Sequence, residues 1–531
     1  MASKRALIVG LVAAVALALL AGSSRLQGLL ANTALVAGGA NALALPIGAL
    51  MGLFIAKTDL PGRRWAGWLC AGLLFVPLYV QAAAWNAALS SGGWITQSLS
   101  GDGYAQTWFS GWRAAVWVHA LAATPWVALL TAASLSAVER RLEEESLLDA
   151  PPRRVLLHVS LRRGAGGLWV GAFWTAIVCA SEIAATDLYQ VRTFAEEIYT
   201  QASLGPLTGD SASLLATDLG LGVALIMALV AVALRLTAPW LPAAASMDAE
   251  ATWKWRPQRG RAPLALGVWA LLAAIMLVPL ASLVWKSGIA VHQAGGDYVR
   301  TWSPAKAASM IASSPWEHRR EWGWSLAIGA AAAAAATVLG VVAAWVAQRR
   351  GWAAALLGAV AAFGLAVPAP LAGVWLIQAM NHSPQSPWSF LTTLYDRTLL
   401  APIVAQFLRA APLASIWLWS QFRSVPQDVL ESARTEGAGP LAQLVRVVLP
   451  LRRTGVLVAA ALALVIAVGE LSATLLVSPP GVTTIAVREF QLLHYGVDDR
   501  VAALSLSIFL LLAGGTMAAG AAYCRANARR P

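Results

Sequence analysis

Apolar stretches of about 17 to 25 residues recur along the whole chain, the length a helix needs to cross a hydrocarbon core. Twelve are expected to span, at approximately 6–22, 34–55, 65–84, 112–135, 166–188, 212–238, 263–285, 323–347, 353–379, 398–420, 455–477 and 501–523. The runs are continuous, whereas a barrel would show short alternating segments, and an open strand edge in lipid would leave backbone groups unpaired. The pattern therefore predicts an all-α polytopic membrane protein of about twelve transmembrane helices.

Composition agrees: of 531 residues, 58% are hydrophobic and 12% charged, more apolar material than one soluble core would need. A net charge of +12 suits a nucleic-acid partner only where basic residues gather in one domain with interleaved aromatics. Here they sort by loop. With the N-terminus inside, about 26 Lys and Arg fall at the termini and in the loops of that face, against about 11 opposite, as the positive-inside rule requires. Lys4, Arg5, Lys57, Arg63, Arg64, Arg349, Arg350, Arg525, Arg529 and Arg530 belong to the inner set. Both termini are expected in the cytoplasm, and no nucleic-acid partner is expected. Cys70, Cys179 and Cys524 show no CxxC spacing and read as small core residues. The N-terminus has the outline of a signal peptide, with Lys4 and Arg5 ahead of an apolar run. That run is long enough to span, so a retained first helix is expected.

The chain reads as two halves, 1–245 and 263–531, joined by a cytoplasmic linker at 246–262 that carries Arg256, Pro257, Arg259 and Arg261. Each half holds six expected spans, with its longest basic loop between the fourth and fifth. Just beyond those loops Ser181-Glu182-Ile183-Ala184-Ala185-Thr186 parallels Gly469-Glu470-Leu471-Ser472-Ala473-Thr474. Further on, Val191-Arg192-x-Phe194 parallels Val487-Arg488-x-Phe490. An even number of spans per half puts equivalent segments on the same side, so the expected architecture is a parallel repeat of two six-helix bundles around a pathway.

The loop at 424–450 is too polar to span and too regular for a slack connection. It predicts two short helices: Ser424 caps the first, Gly437-Ala438-Gly439 ends it, and Pro440 opens the second. Val429, Leu430 and Ala433 form an apolar stripe beside the polar Asp428, Glu431, Arg434 and Glu436. An amphipathic helix at a bundle's edge is suited to lie in a partner's groove. The spacing Glu431-Ser432-Ala433, Gly437, then Leu449-Pro450 resembles the EAA loop of binding-protein-dependent ABC importer permeases, with Ser432 replacing the middle alanine. The resemblance implies a type I permease fold, in which this loop is the coupling helix that fits a cleft in a separate ATPase. The first-half counterpart at 140–163 is degenerate: Glu144, Ser146 and Ala150 take the Glu, second Ala and Gly positions only if one residue is deleted before Leu161, and Arg162 replaces the proline. Docking is therefore expected to be asymmetric.

The run from Glu470 through Pro479-Pro480-Gly481, Val487-Arg488 and His494-Tyr495-Gly496 resembles the ferric-iron type of fused two-half permease. It implies ferric iron or a small iron chelate as cargo, while permeases for thiamine, polyamines, sulfate or molybdate share the architecture. The family implies two ATPase subunits that use ATP and magnesium, an extracytoplasmic binding protein docking on the outer loops, and no cofactor or catalytic residue in this chain. Ionisable residues within spans are functional candidates: Glu182 and Glu470 would line the pathway or hold helices together, and Arg409 would pair with one of them or serve a structural ion pair. No two histidines share a metal-ligand spacing, so no metal site is expected.

Two other classes of membrane protein fit the sequence less well. An ion-coupled secondary transporter would use buried acids, but usually needs a denser set of intramembrane charges and leaves the Glu431–Pro450 pattern unexplained. A membrane-embedded enzyme would need paired carboxylates with a metal, or a nucleophile and base, whereas Glu143-Glu144-Glu145 reads as a solvated run. No Gly-x-x-x-x-Gly-Lys-Ser/Thr loop occurs, so ATP is expected to bind elsewhere.

Overall fold

The computed structural model describes residues 23–100, 108–204, 222, 253–257, 260–294 and 297–528. The first-half elements used below are α1 (Ser24–Lys57), α2 (Arg63–Leu73), α3 (Leu78–Leu89), α4 (Gly111–Ser136), α5 (Arg140–Asp149), α6 (Pro152–Arg163), α7 (Ala165–Ser181), α8 (Ala184–Leu188) and α9 (Phe194–Leu204). After them come α10 (Arg261–Ser287), α11 (Pro304–Glu317), α12 (Arg319–Arg349), α13 (Gly351–Ala366), α14 (Ala369–Met380), α15 (Leu400–Arg423), α16 (Gln427–Thr435) and α17 (Pro440–Leu451). The described chain ends with α18 (Arg453–Gly469), α19 (Thr474–Val477), α20 (Ile485–His494) and α21 (Asp498–Ala528). Between α10 and α11 a two-stranded antiparallel hairpin, β1 (Ile289–Ala294) and β2 (Asp297–Trp302), pairs Ile289 with Trp302. Among the described residues the fold is all-α apart from this hairpin and an isolated bridge between Thr58 and Trp255.

Among the described residues five helices are long and apolar enough to cross a bilayer, namely α1, α4, α10, α12 and α15. Counting four bent pairs makes up to nine: α2 with α3 (104°), α6 with α7 (54°), α13 with α14 (101°) and α17 with α18 (82°); of the second and fourth pairs only α7 and α18 fall on expected spans. Expected span 501–523 lies within α21, and 6–22 and 212–238 lie outside the described residues.

The bent pairs correct the straight spans expected at 65–84 and 353–379. Pro77 and Pro368 stand just before α3 and α14, with ψ of 153° and 140°. Proline removes a backbone N–H, clashes with the preceding turn and pushes the residue before it towards extended backbone, as at Val367 (φ −68°, ψ 120°). Spans 166–188 and 455–477 likewise stop early, at Glu182 and Glu470, each in extended backbone before a short helix.

The chain forms two compact units. One comprises Met1–Ala31, Phe194–Ala251 and Ser325–Val482; the other comprises Asn32–Thr193, Thr252–Trp324 and Thr483–Pro531. Each takes segments from both sides of the linker.

Within the unit built on Ser325–Val482, alanines form a seam: Ala333 and Ala336 of α12, Ala410 and Ala414 of α15, and Ala463 of α18 make one buried cluster. Small residues let helix backbones approach closely, the main source of packing energy where lipid offers no hydrophobic gain. The other unit uses glycine for the same end. A Cβ on Gly48 of α1 would stand 2.5 Å from Val127 of α4, and one on Gly52 would stand 2.8 Å from the Ala128 carbonyl.

Candidate functional site

The loop singled out by sequence folds as two helices joined by a turn. Gly437 takes φ +83°; its N–H donates to Arg434 O at 2.9 Å, and the Ala438 N–H donates to Ala433 O at 2.9 Å. This paired bonding is a Schellman close, and only glycine enters the left-handed region without steric cost. Pro440 opens α17 as expected. Ser424 does not cap α16: its hydroxyl donates to Gln421 O at 2.7 Å, and Pro426 holds the cap position.

The apolar stripe is narrower than expected. Leu430 is 4% exposed and packs with Trp345, Phe422, Leu444 and Val448, while Val429 points outward. Asp428, Glu431, Ser432, Arg434 and Gly437 are all exposed, Ala433 is half-buried, and Leu449 packs against the cluster with Pro450 outside it. The adjoining helix is tied separately: Gln443 accepts from Arg349 Nη2 at 2.9 Å and donates to Ala438 O at 2.7 Å. One face of α16 is thus anchored and the other is polar and open.

The first-half loop has the same order of elements and a different attachment. Both second helices begin with proline and contain a π turn, at Leu156–Ser160 and Leu444–Val448. Glu144 is exposed and paired with Arg140 at 2.6 Å. Ala150 closes α5 in extended backbone (φ −144°) and not in the left-handed region, so it does not reproduce the Gly437 turn. Leu161 is half-buried and Arg162 exposed. The acidic run is not wholly solvated, which corrects the sequence reading: Glu143 is completely buried. Its carboxylate lies 2.6 Å from Lys57 Nζ, itself fully buried, and accepts from Ser160 Oγ at 2.6 Å. Lys57 counted towards the inner charge bias as an ordinary loop cation. No local pattern in the sequence marks the triad, because Lys57 and Ser160 lie 86 and 17 residues from Glu143; in the structure Glu143 and Leu430 are each the fourth residue of their helix.

Glu182 and Glu470 occupy matching places as caps. Glu470 accepts from the N–H groups of Ala473 at 2.7 Å and Thr474 at 2.8 Å, and from the Thr474 hydroxyl. Glu182 accepts from the Ala185 N–H at 3.3 Å. Each carboxylate therefore satisfies donors at the start of the short helix beyond a broken span. Arg409 of α15 donates to the carbonyls of Gly364 (3.2 Å) and Val367 (2.9 Å), which the break between α13 and α14 leaves without helical partners. Glu470 acts on it electrostatically.

The expected outer loops carry ion pairs of their own. Lys286 pairs with Asp498 at 2.8 Å, and Lys306 with Asp499 at 2.7 Å, fastening the base of the β-hairpin and α11 to the start of α21. His494 Nε2 lies 2.8 Å from the Asp187 carboxylate. That hydrogen bond raises the imidazole's pKa above its usual range, against the opposing effect of partial burial.

Helices of spanning length, proline-broken spans and a helical hairpin with one open polar face define a polytopic membrane protein. Residues 336–523 match the model of the family described as binding-protein-dependent transport system inner membrane component. The molybdenum transport system permease protein ModB of Azotobacter vinelandii is 30% identical over 179 residues, covering 32% of this chain and 75% of that protein. The putative 2-aminoethylphosphonate transport system permease proteins PhnV of Salmonella typhimurium and Salmonella choleraesuis are 29% identical over 150 residues, covering 28% of this chain and 54% of theirs. The chain belongs to this family: it is an inner membrane permease subunit of an ABC importer.

Proposed function

We propose that the chain forms the translocation pathway of its importer and that the Glu431–Pro450 loop is where a separate ATPase docks. The observation that carries this reading is the two-faced helix α16, held to its bundle through Leu430 and open along Asp428, Glu431, Ser432 and Arg434. Two ATPase subunits would supply hydrolysis, using ATP and magnesium that this chain does not bind. The loop at 140–163 would receive the second subunit through Glu144, Ala150 and Leu161. Both termini would lie in the cytoplasm with these loops, and the sequence halves 1–245 and 263–531 would act as two parallel-repeat bundles of about twelve spans. An extracytoplasmic binding protein would dock on the outer loops, among them the 289–302 hairpin. The test is copurification of the ATPase with a Glu431→Lys, Gly437→Val double variant. Association should be lost, and undiminished association would exclude the loop as the docking site.

For cargo, the segment from Glu470 to Gly496 supports ferric iron or a small iron chelate. A second reading, a small oxyanion, is favoured by the molybdenum and 2-aminoethylphosphonate named for the relatives. It is favoured also by Glu470, whose carboxylate is engaged by backbone donors and so less suited to a cation. The ligand that copurifies with the binding protein encoded nearby separates the two: bound iron supports the first, bound oxyanion the second.

A further inference from the structure

The two loops are attached to their bundles by different chemistry at matching positions. In the first half the fourth residue of α5 is Glu143 and the last residue of its π turn is Ser160; together with Lys57 they form a fully buried ionic triad with contacts of 2.6, 2.9 and 2.6 Å. In the second half the corresponding residues are Leu430 and Val448, members of an apolar cluster. The polar tie there falls instead on the fourth residue of α17, Gln443, bonded to Arg349 at the end of α12. Its first-half counterpart, the fourth residue of α6, is the buried Val155. The polar tie thus sits on the coupling helix itself in the first half and on the second helix of the loop in the second half.

Lys57 is in turn held through its backbone. Trp255 of the linker donates its N–H to Lys57 O at 2.7 Å and pairs as a strand bridge with Thr58, and Arg261 bonds Asp59 at 3.3 Å. The covalent neighbours of the lysine are therefore fixed before its side chain reaches Glu143. The turn joining α5 to α6 is also short, Ala150-Pro151, where the second half has a glycine-bounded turn.

We propose that Lys57, Glu143 and Ser160 are positioning residues that fix the first-half coupling helix to the end of α1. That loop is the rigid member of the pair, and α16, resting on apolar packing and closed by Gly437, is the member that tilts on its ATPase. The inference rests on the reading of both loops as ATPase contacts. An apolar contact has no preferred direction, so a helix seated through one leucine slides at little cost. A buried ion pair that also accepts from a hydroxyl has one good geometry, and losing it leaves a charge in a low-dielectric site.

Converting the triad to the second-half pattern with Lys57→Met, Glu143→Leu and Ser160→Val tests this, because replacing a whole buried ionic set by apolar residues generally preserves folding. Hydrogen exchange is measured on the full chain in detergent, and steady-state ATP hydrolysis on its complex with the ATPase. Amides of 140–149 should exchange at least about tenfold faster, those of 427–435 should be unchanged, and kcat for ATP should fall severalfold at constant KM. An unchanged exchange rate at 140–149, or an unchanged kcat, overturns the proposal. Glu143→Gln gives a second arm, expected to loosen 140–149 without altering 427–435; equal loosening of both loops would mark a general loss of structure and also overturns it. Failure of the wild-type chain to bind any ATPase would instead strike the docking reading, while the exchange measurement would still decide whether the triad fixes α5.

Discussion

Glu470 illustrates how a residue noticed for its charge turns out to be held by backbone. The repeat made Glu182 and Glu470 visible as a pair of acids in apolar surroundings. Their donors belong to short helices beyond breaks that a hydropathy window does not register. Glu470→Ala would leave buried N–H groups of Ala473 and Thr474 without an acceptor and should cost about 2 kcal/mol in a detergent unfolding assay. Glu470→Gln keeps one acceptor oxygen and should recover most of that loss; a variant that keeps stability but loses transport would return the residue to the pathway. At His494 the folded-state pKa is raised above its usual 6.5 by Asp187. Stabilisation by this pair is therefore complete below that value and disappears as pH climbs through the raised one. The side chains are 44% and 23% exposed, which limits the effect to less than about 1 kcal/mol. Melting temperatures compared between about pH 6 and about pH 9 should show a small decline that His494→Gln removes.

At the level of elements, sequence pattern located the straight helices well and missed the breaks. Spans at 112–135 and 263–285 match α4 and α10 within a few residues, and each stays one helix although it contains a proline, Pro125 and Pro279. The runs around Pro77 and Pro368 looked equally continuous, and the prolines' steric effect outweighs hydropathy there. A right-angle break frees carbonyls, and Arg409 meets two of them. Arg409→Met should lower stability by about 1–3 kcal/mol for the unpaired carbonyls, and Arg409→Lys, which keeps a donor with a shorter reach, by less. Thermal unfolding of the purified chain distinguishes these outcomes. The turn at Gly437 was readable for a different reason: Gly437 is demanded by a local backbone conformation, φ +83°, and local demands leave a mark in sequence. Glu143 was not readable, since its partners Lys57 and Ser160 lie 86 and 17 residues away.

For the whole molecule, similarity between segments predicts two halves, but similarity does not show which segments pack together. The unit built on Ser325–Val482 also contains Phe194–Ala251, and the unit built on Asn32–Thr193 also contains Thr483–Pro531. A chain cut within the linker should therefore yield halves that are unstable when expressed singly and recover on coexpression. Protease resistance of residues 263–531 alone, equal to that of the intact protein, would contradict this.

The mismatch between Glu143 and Leu430 also bears on heredity. In a transporter assembled from two identical subunits, any substitution in a coupling loop arrives in both copies at once, so a change that suits only one position is eliminated. Carrying both loops on one chain removes that restriction. Each loop then accumulates mutations independently, and a lysine can become indispensable to one copy without ever having been acceptable in the other.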